Sequence, residues 1–282
     1  MADRDMALAC KDTLRMLGLK PHSLRGQNYL IDEAVIDKIV AAAKIGEGSP
    51  TLEIGAGLGM LTERLLDSGA DCAVLEIETR AAQYLCRRFG ERAEIINADA
   101  LNFDFAAYTQ RRGWRDYQIV ANLPYSITTP LLTRLLREGG AWSAMTLMLQ
   151  KEAAQRLVAG KGRENGPLTL LLEYYAEAAI CFEAPRDAFY PRPAVTSAVI
   201  DVRRRAAPPV AGERRELFRL IEAAFTLRRK TLLNALSAAP LSASREQWAE
   251  LILGLGWKPD VRAEELSLAQ FAELYAAYAA IC

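Results

Sequence analysis

The sequence predicts an α/β fold, a mostly parallel seven-stranded sheet covered by helices, followed by a small C-terminal all-helical domain. Three observations carry this expectation. Beyond Thr51, seven short apolar runs occur, the first five separated by amphipathic stretches, the rhythm of β-α-β units. The first run breaks into Gly55, Gly57 and Gly59, residues without a Cβ that let a strand turn sharply and leave backbone open to a ligand. Near Arg203 the strand pattern stops and helical periodicity takes over.

In order, residues 1–20 read as a polar, partly helical lead-in. In PHSLRGQNYLIDEAVIDKIVAAA, Asp32 is placed to cap a helix whose Val35, Ile36, Ile39, Val40 and Ala43 share one face. The strands TLEIG, CAVLEIE, AEIIN, YQIVANL and AMTLMLQ come next, with amphipathic stretches such as MLTERLLDSG, TRAAQYLCRRF and TPLLTRLLRE between them. AICFEA and TSAVIDV are joined by EAPRDAFYPRP, which lacks the pattern of a crossover helix. These two are expected as an antiparallel pair at one side of the sheet. RRRAAPPVAGE reads as a linker. RRELFRLIEAAF, RRKTLLNALS, REQWAELILGLG and LAQFAELYAAYA form the helical end, which sets the domains at 1–205 and 206–282.

The formal net charge is zero, so any attraction for nucleic acid must come from local clustering. The five cysteines are scattered and never spaced CxxC, and His22 is the only histidine. A disulfide framework, a metal site and histidine-based acid–base catalysis are not expected. No secretory signal or membrane-length apolar run is present, so a cytoplasmic protein is expected, as a monomer without membrane contact.

The glycine loop reads GxGxG followed by Met60 and Leu61, whereas a dinucleotide fingerprint needs GxGxxG; a Walker loop needs GK[ST]. Glu76, at the end of the second strand, is placed to accept hydrogen bonds from ribose hydroxyls. Asp99, in NADAL after the third strand, is placed to accept from an adenine amine. An adenosine with an amino-acid tail and no pyrophosphate fits these parts, which is S-adenosylmethionine. Asn28 and the Leu30 backbone, in GQNYL, offer further polar contacts; a plain helix-entry turn is the alternative reading.

After the fourth strand stands Asn122-Leu123-Pro124-Tyr125. The adenine amine is a poor nucleophile because its lone pair is delocalised into the ring. Hydrogen bonds from it to the Asn122 side-chain oxygen and the Leu123 carbonyl favour a tetrahedral nitrogen. Pro124 stiffens the turn, and Tyr125 offers a stacking face worth about 1–3 kcal/mol. Phe189, in AFYPRP, either closes the other face of the base or packs in the core.

GQNYL, EIGAGLG, VLEIE, NADAL, ANLPYSI, MLQKEAAQRLVA, FYPRPAVTSAV and FTLRRKTLLNAL together closely resemble the KsgA-type ribosomal RNA small-subunit adenine N6,N6-dimethyltransferases. The resemblance implies a Rossmann-like class I methyltransferase domain that moves four methyl groups to two adjacent adenosines near the 3′ end of small-subunit (16S) ribosomal RNA during late subunit assembly. It implies Asn28, Leu30, Gly55, Glu76, Asp99 and Asn122, with Gly57 in the same loop, as cofactor contacts, and Asn122, Leu123 and Tyr125 as facing the adenine. Arg25, Ala194 and Thr196 depart from the family pattern, the first at the lip of the cofactor site and the others at an RNA contact.

Residues 203–230 hold nine Arg or Lys against three Glu. Arg228, Arg229 and Lys230 cannot share one helical face, so some turn inward and the rest are expected to meet RNA phosphates. The partner implied is the small ribosomal subunit and its RNA. The alternatives are a ribosome-assembly binding factor of the same fold and a large-subunit RNA adenine methyltransferase.

Overall fold

A computed structural model describes residues 2–21, 28–159, 165–227 and 229–281. The chain opens with helix α1 (Ala2–Met16), the short strand β1 (Tyr29–Leu30) and helix α2 (Glu33–Ala43). Strand and helix then alternate: β2 (Pro50–Ile54), α3 (Met60–Asp67), β3 (Asp71–Glu76), α4 (Thr79–Phe89), β4 (Ala93–Asn97), α5 (Phe105–Arg112), β5 (Tyr117–Asn122), α6 (Thr128–Glu138) and β6 (Trp142–Gln150). Next come α7 (Lys151–Ala159), α8 (Pro167–Tyr175), β7 (Ala176–Ala184), β8 (Phe189–Tyr190) and β9 (Ser197–Arg204). Four helices end the chain: α9 (Arg214–Phe225), α10 (Leu232–Ser237), α11 (Arg245–Gly254) and α12 (Leu268–Ala279).

The seven apolar runs form one sheet in the order β4-β3-β2-β5-β6-β9-β7. The first five strands pair in parallel, and β9 runs antiparallel to β6. The last strand therefore lies inside its predecessor. Composition explains the order: Ser197, Ala198, Val199, Ile200 and Val202 of β9 are buried, whereas β7 carries exposed Glu177, Ile180, Cys181 and Glu183. The strand with the longer buried run takes the interior and the more exposed one takes the edge.

Asp32 caps α2, its carboxylate accepting the Val35 N–H at 3.1 Å, and Val35, Ile36, Ile39 and Ala43 are buried. Gly59 enters α3 at φ 81°, and a Cβ there would stand 2.6 Å from both Leu85 Cδ2 and Phe89 Cε2 of α4. The early third glycine thus lets α4 pack against the loop. Gly59→Ala should cost about 1–3 kcal/mol through left-handed strain and overpacking, read as a lower denaturant midpoint. An unchanged midpoint would show that α4 gives way freely.

Contact grouping divides the chain into a unit of Met1–Ala154 with Ala178–Arg204 and a unit of Gln155–Glu177 with Arg205–Cys282. A boundary drawn at 205 misses the earlier crossing. Within the second unit α8 packs on α9 and α12. Tyr174 meets Phe218 edge to face at 5.2 Å, and Asn165 Nδ2 donates to the Leu266 carbonyl at 2.8 Å. Among the described residues no helix is long and apolar enough to cross a membrane.

Candidate active site

The sheet order reverses between β2 and β5, and connections from neighbouring strands that diverge leave a crevice at their C-terminal ends. A cavity of about 400 Å³ opens there. Asn28, Leu30, Gly55, Gly57, Glu76, Asp99, Asn122, Leu123 and Pro124 all line it. The expected cofactor positions and the acceptor step, apart from the Tyr125 side chain, thus share one space. A Cβ on Gly55 would stand 3.9 Å from the Asn122 carbonyl, a measure of how close the two strand ends lie.

The glycine loop is tied to the second strand. Gly55 N–H donates to the Leu75 carbonyl at 2.8 Å. Gly57 adopts φ 58°, where a Cβ would come 3.0 Å from the Tyr29 ring, so both conformation and space call for glycine. Gly57 N–H donates to Glu76 Oε2 and Glu78 N–H to Oε1, each at 2.8 Å. Glu76 is 6 % exposed. Burial raises it above the usual carboxylate range, against the pull of the two N–H donors. Asn97, which sequence reasoning missed, donates from Nδ2 to the carbonyls of Glu76 at 2.8 Å and Ile77 at 3.1 Å, fixing the turn beneath that carboxylate.

Asp99 closes a small turn, Oδ1 accepting the Leu101 N–H at 2.8 Å and Oδ2 the Asn102 side chain at 2.9 Å. Each oxygen keeps a second lone pair for a ligand. Asn122 Nδ2 donates to the Asn28 carbonyl at 3.1 Å. That bond fixes which end of the amide is donor and leaves Oδ1 as the acceptor. Ile127 N–H and the Thr128 hydroxyl both reach the Pro124 carbonyl, holding the turn Tyr125–Ile127 that leads into α6.

Phe189 lies apart from the cavity: it is 3 % exposed and packs in the core with Leu30, Val35 and Ile36. It pairs antiparallel with Leu30, so in this structure the ring supports β1 from the core side. The side chain of Tyr125, together with Arg25 and Arg228, lies outside the described residues. Arg229, Lys230 and Ala194 are exposed. Arg203 binds Asp201 Oδ2 at 2.8 Å, Arg204 the carbonyls of Gly140 and Trp142, and Arg205 Glu177 Oε1 at 2.8 Å. These three serve their own unit locally.

Two cavity residues carry little sequence signal. Cys10 reaches the cavity from α1, whose buried Cys10 and Leu14 pack with Ile31 and Leu58. The i, i+4 spacing of Cys10 and Leu14 is the available cue. Glu53 is 2 % exposed in β2 and accepts the Thr62 hydroxyl at 2.6 Å. Burial pushes its carboxyl up to about 8, opposed by Thr62 and reinforced by Glu76. Because the fold favours the protonated form, stability is fully kept below 4.5 and lost as pH rises toward about 8. Glu53→Gln should flatten that decline in urea midpoints measured across the window; an equal slope in the variant would assign it to other groups.

The family model for ribosomal RNA adenine dimethylase matches residues 18–280. A protein named ribosomal RNA small subunit methyltransferase A from Pelotomaculum thermopropionicum is 38% identical over 275 residues, covering 94% of this chain and 93% of that one. One of the same name from Magnetococcus marinus is 40% identical over 265 residues, covering 93% of each. In fold, the chain is similar to a dimethyladenosine transferase from Plasmodium falciparum, with TM-score 0.70 at 23% identity over 86% of this chain and 94% of that chain. It is also similar to the 23S rRNA methyltransferase ErmE, with TM-score 0.67 at 24% identity over 89% and 100%. With the match spanning nearly the whole sequence and five of the eight motifs that suggested it lining the cavity, this chain belongs to the ribosomal RNA adenine dimethylase family.

Proposed function

We propose that this chain uses S-adenosylmethionine to dimethylate N6 of two adjacent adenosines near the 3′ end of 16S ribosomal RNA, acting as a cytoplasmic monomer on the small ribosomal subunit. The observation that carries the reading is the adjacency of Gly55 and Asn122 at one cavity. A cofactor on the loop and a base at the Asn-Leu-Pro-Tyr step can then meet. The volume, about 400 Å³, lies within the ~300–1,000 Å³ usual for small-molecule sites.

The residues suit the cofactor. Glu76 retains acceptor capacity for ribose hydroxyls beyond its two backbone bonds, and Asp99 retains it for an adenine amine. The loop leads into the N-terminus of α3, where backbone N–H groups favour a carboxylate. S-adenosylmethionine supplies an electrophilic methyl group on its sulfonium.

The chain's own work is positioning. Asn122 Oδ1 and the Leu123 carbonyl accept the two N–H bonds of the target amine and aim its lone pair at the methyl. The nitrogen becomes cationic on accepting the methyl and then releases an acidic proton to water, so no strong base is needed. Catalysis rests on orientation and preorganised dipoles. An unpaired adenosine, or one taken out of its stack at a cost of a few kcal/mol, presents the amine. Arg228, Arg229 and Lys230 meet RNA phosphates, which makes binding salt-sensitive.

A large-subunit substrate is the second reading, favoured only by the likeness in fold to ErmE at 24% identity. The small-subunit reading draws on relatives of that name at 38% and 40% identity. Unmethylated small and large subunits incubated separately with labelled S-adenosylmethionine decide between them. Dimethyladenosine in small-subunit RNA is expected. Its absence under conditions where the cofactor binds would overturn the proposal, and label in large-subunit RNA alone would install the second reading.

A further inference from the structure

Arg134 lies on α6, the helix that starts at Thr128 directly after the acceptor turn. Its Nη1 donates to the Ala100 carbonyl at 3.0 Å and its Nε to Glu138 Oε2 at 3.0 Å. The guanidinium sits 5.6 Å from the centroid of the Phe105 ring, and the side chain is 22% exposed. Three partners therefore fix one planar group. A guanidinium can do this because its donors are held in a rigid fork that also stacks on an aromatic face.

Ala100 is no ordinary surface residue. It is 7% exposed and stands between Asp99 and Leu101, and all three line the cavity. The Asp99 carboxylate is itself bound to the Leu101 N–H and to Asn102, so these residues form one compact turn. Arg134 grips that turn from outside by a charge-assisted bond to its middle carbonyl.

We propose that Arg134 is a positioning residue, holding the Asp99 turn in place for the adenine of the cofactor and tying that turn to the helix behind the acceptor step. This rests on the assignment of the cavity to S-adenosylmethionine. Arg134 touches no reacting atom. Its effect passes through Asp99 and falls on the adenine end of the ligand, leaving the ribose contacts of Glu76 unaffected.

The test is calorimetric binding of S-adenosylhomocysteine and of its analogue lacking the exocyclic adenine amine, to the full-length protein and to Arg134→Gln. The variant should bind S-adenosylhomocysteine about tenfold more weakly and the amine-free analogue less than about twofold more weakly. Combined with Asp99→Ala, which removes the acceptor itself, Arg134→Gln should add little further loss. Equal weakening of both ligands, additive losses in the double variant, or unchanged affinity would each overturn the proposal. If Arg134→Gln fails to fold, Arg134→Lys makes the same comparison, since an ammonium keeps the charge and loses the fork. Failure of the unmodified protein to bind either ligand would instead remove the cofactor assignment, and this inference with it.

Discussion

Asn122→Ala should lower the rate of methyl transfer by about 10²–10³-fold, the usual consequence of removing one preorganised dipole at a reacting centre. Binding of the small subunit should be largely kept. The expectation rests on the amide's fixed orientation: Nδ2 is held by the Asn28 carbonyl, so Oδ1 is the end available to the target amine. Truncation removes that acceptor together with the donor to the Asn28 carbonyl. Asn122→Asp provides the control, because a carboxylate keeps the acceptor and loses the bond to Asn28. Single-turnover transfer with saturating cofactor, alongside particle binding by sedimentation, separates the outcomes. Simultaneous loss of transfer and particle binding would mean that Asn122 is structural.

Much of this site was legible in the sequence because its parts sit at strand ends. Apolar runs locate the ends of β2, β3, β4 and β5, and Gly55, Glu76, Asp99 and Asn122 stand at or just past those ends in turn. In a parallel sheet the ends share one side, so the cavity is nearly implied. Strand order was less legible, because periodicity says which residues face a core and nothing about neighbours; the insertion of β9 between β6 and β7 is a tertiary choice. The pair β1 and β8, two residues each, is too short to show a period. That is why Phe189 remained open between base stacking and core packing. The Gln155–Glu177 crossing into the helical unit is a three-dimensional grouping that no linear boundary can express. A charge count says nothing of partners: Arg203, Arg204 and Arg205 are engaged by Asp201, nearby carbonyls and Glu177.

Glu76→Gln should weaken S-adenosylhomocysteine binding by about 10²-fold while leaving the folded state at least as stable. Both oxygens of Glu76 accept backbone donors, Oε2 from Gly57 and Oε1 from Glu78. An amide has one acceptor and one donor end, so in either orientation an NH₂ group faces one of those N–H groups. The loop loses a tie to β3 or the β3–α4 turn opens, and one ribose acceptor disappears as well. Two hydrogen bonds at about 1–1.5 kcal/mol each give the expected factor, at about 1.4 kcal/mol per tenfold. In stability the cost of that lost tie is opposed, because burial holds the carboxyl above its ordinary range, which means the ionised form is disfavoured in the fold. Above its unfolded-state pKa that group is a liability, and a neutral amide removes the liability. Calorimetry and urea unfolding on the same samples therefore give opposite signs for a ligand-binding carboxylate. Unchanged affinity would end the ribose assignment, and affinity lost together with stability would make Glu76 a structural brace for the glycine loop.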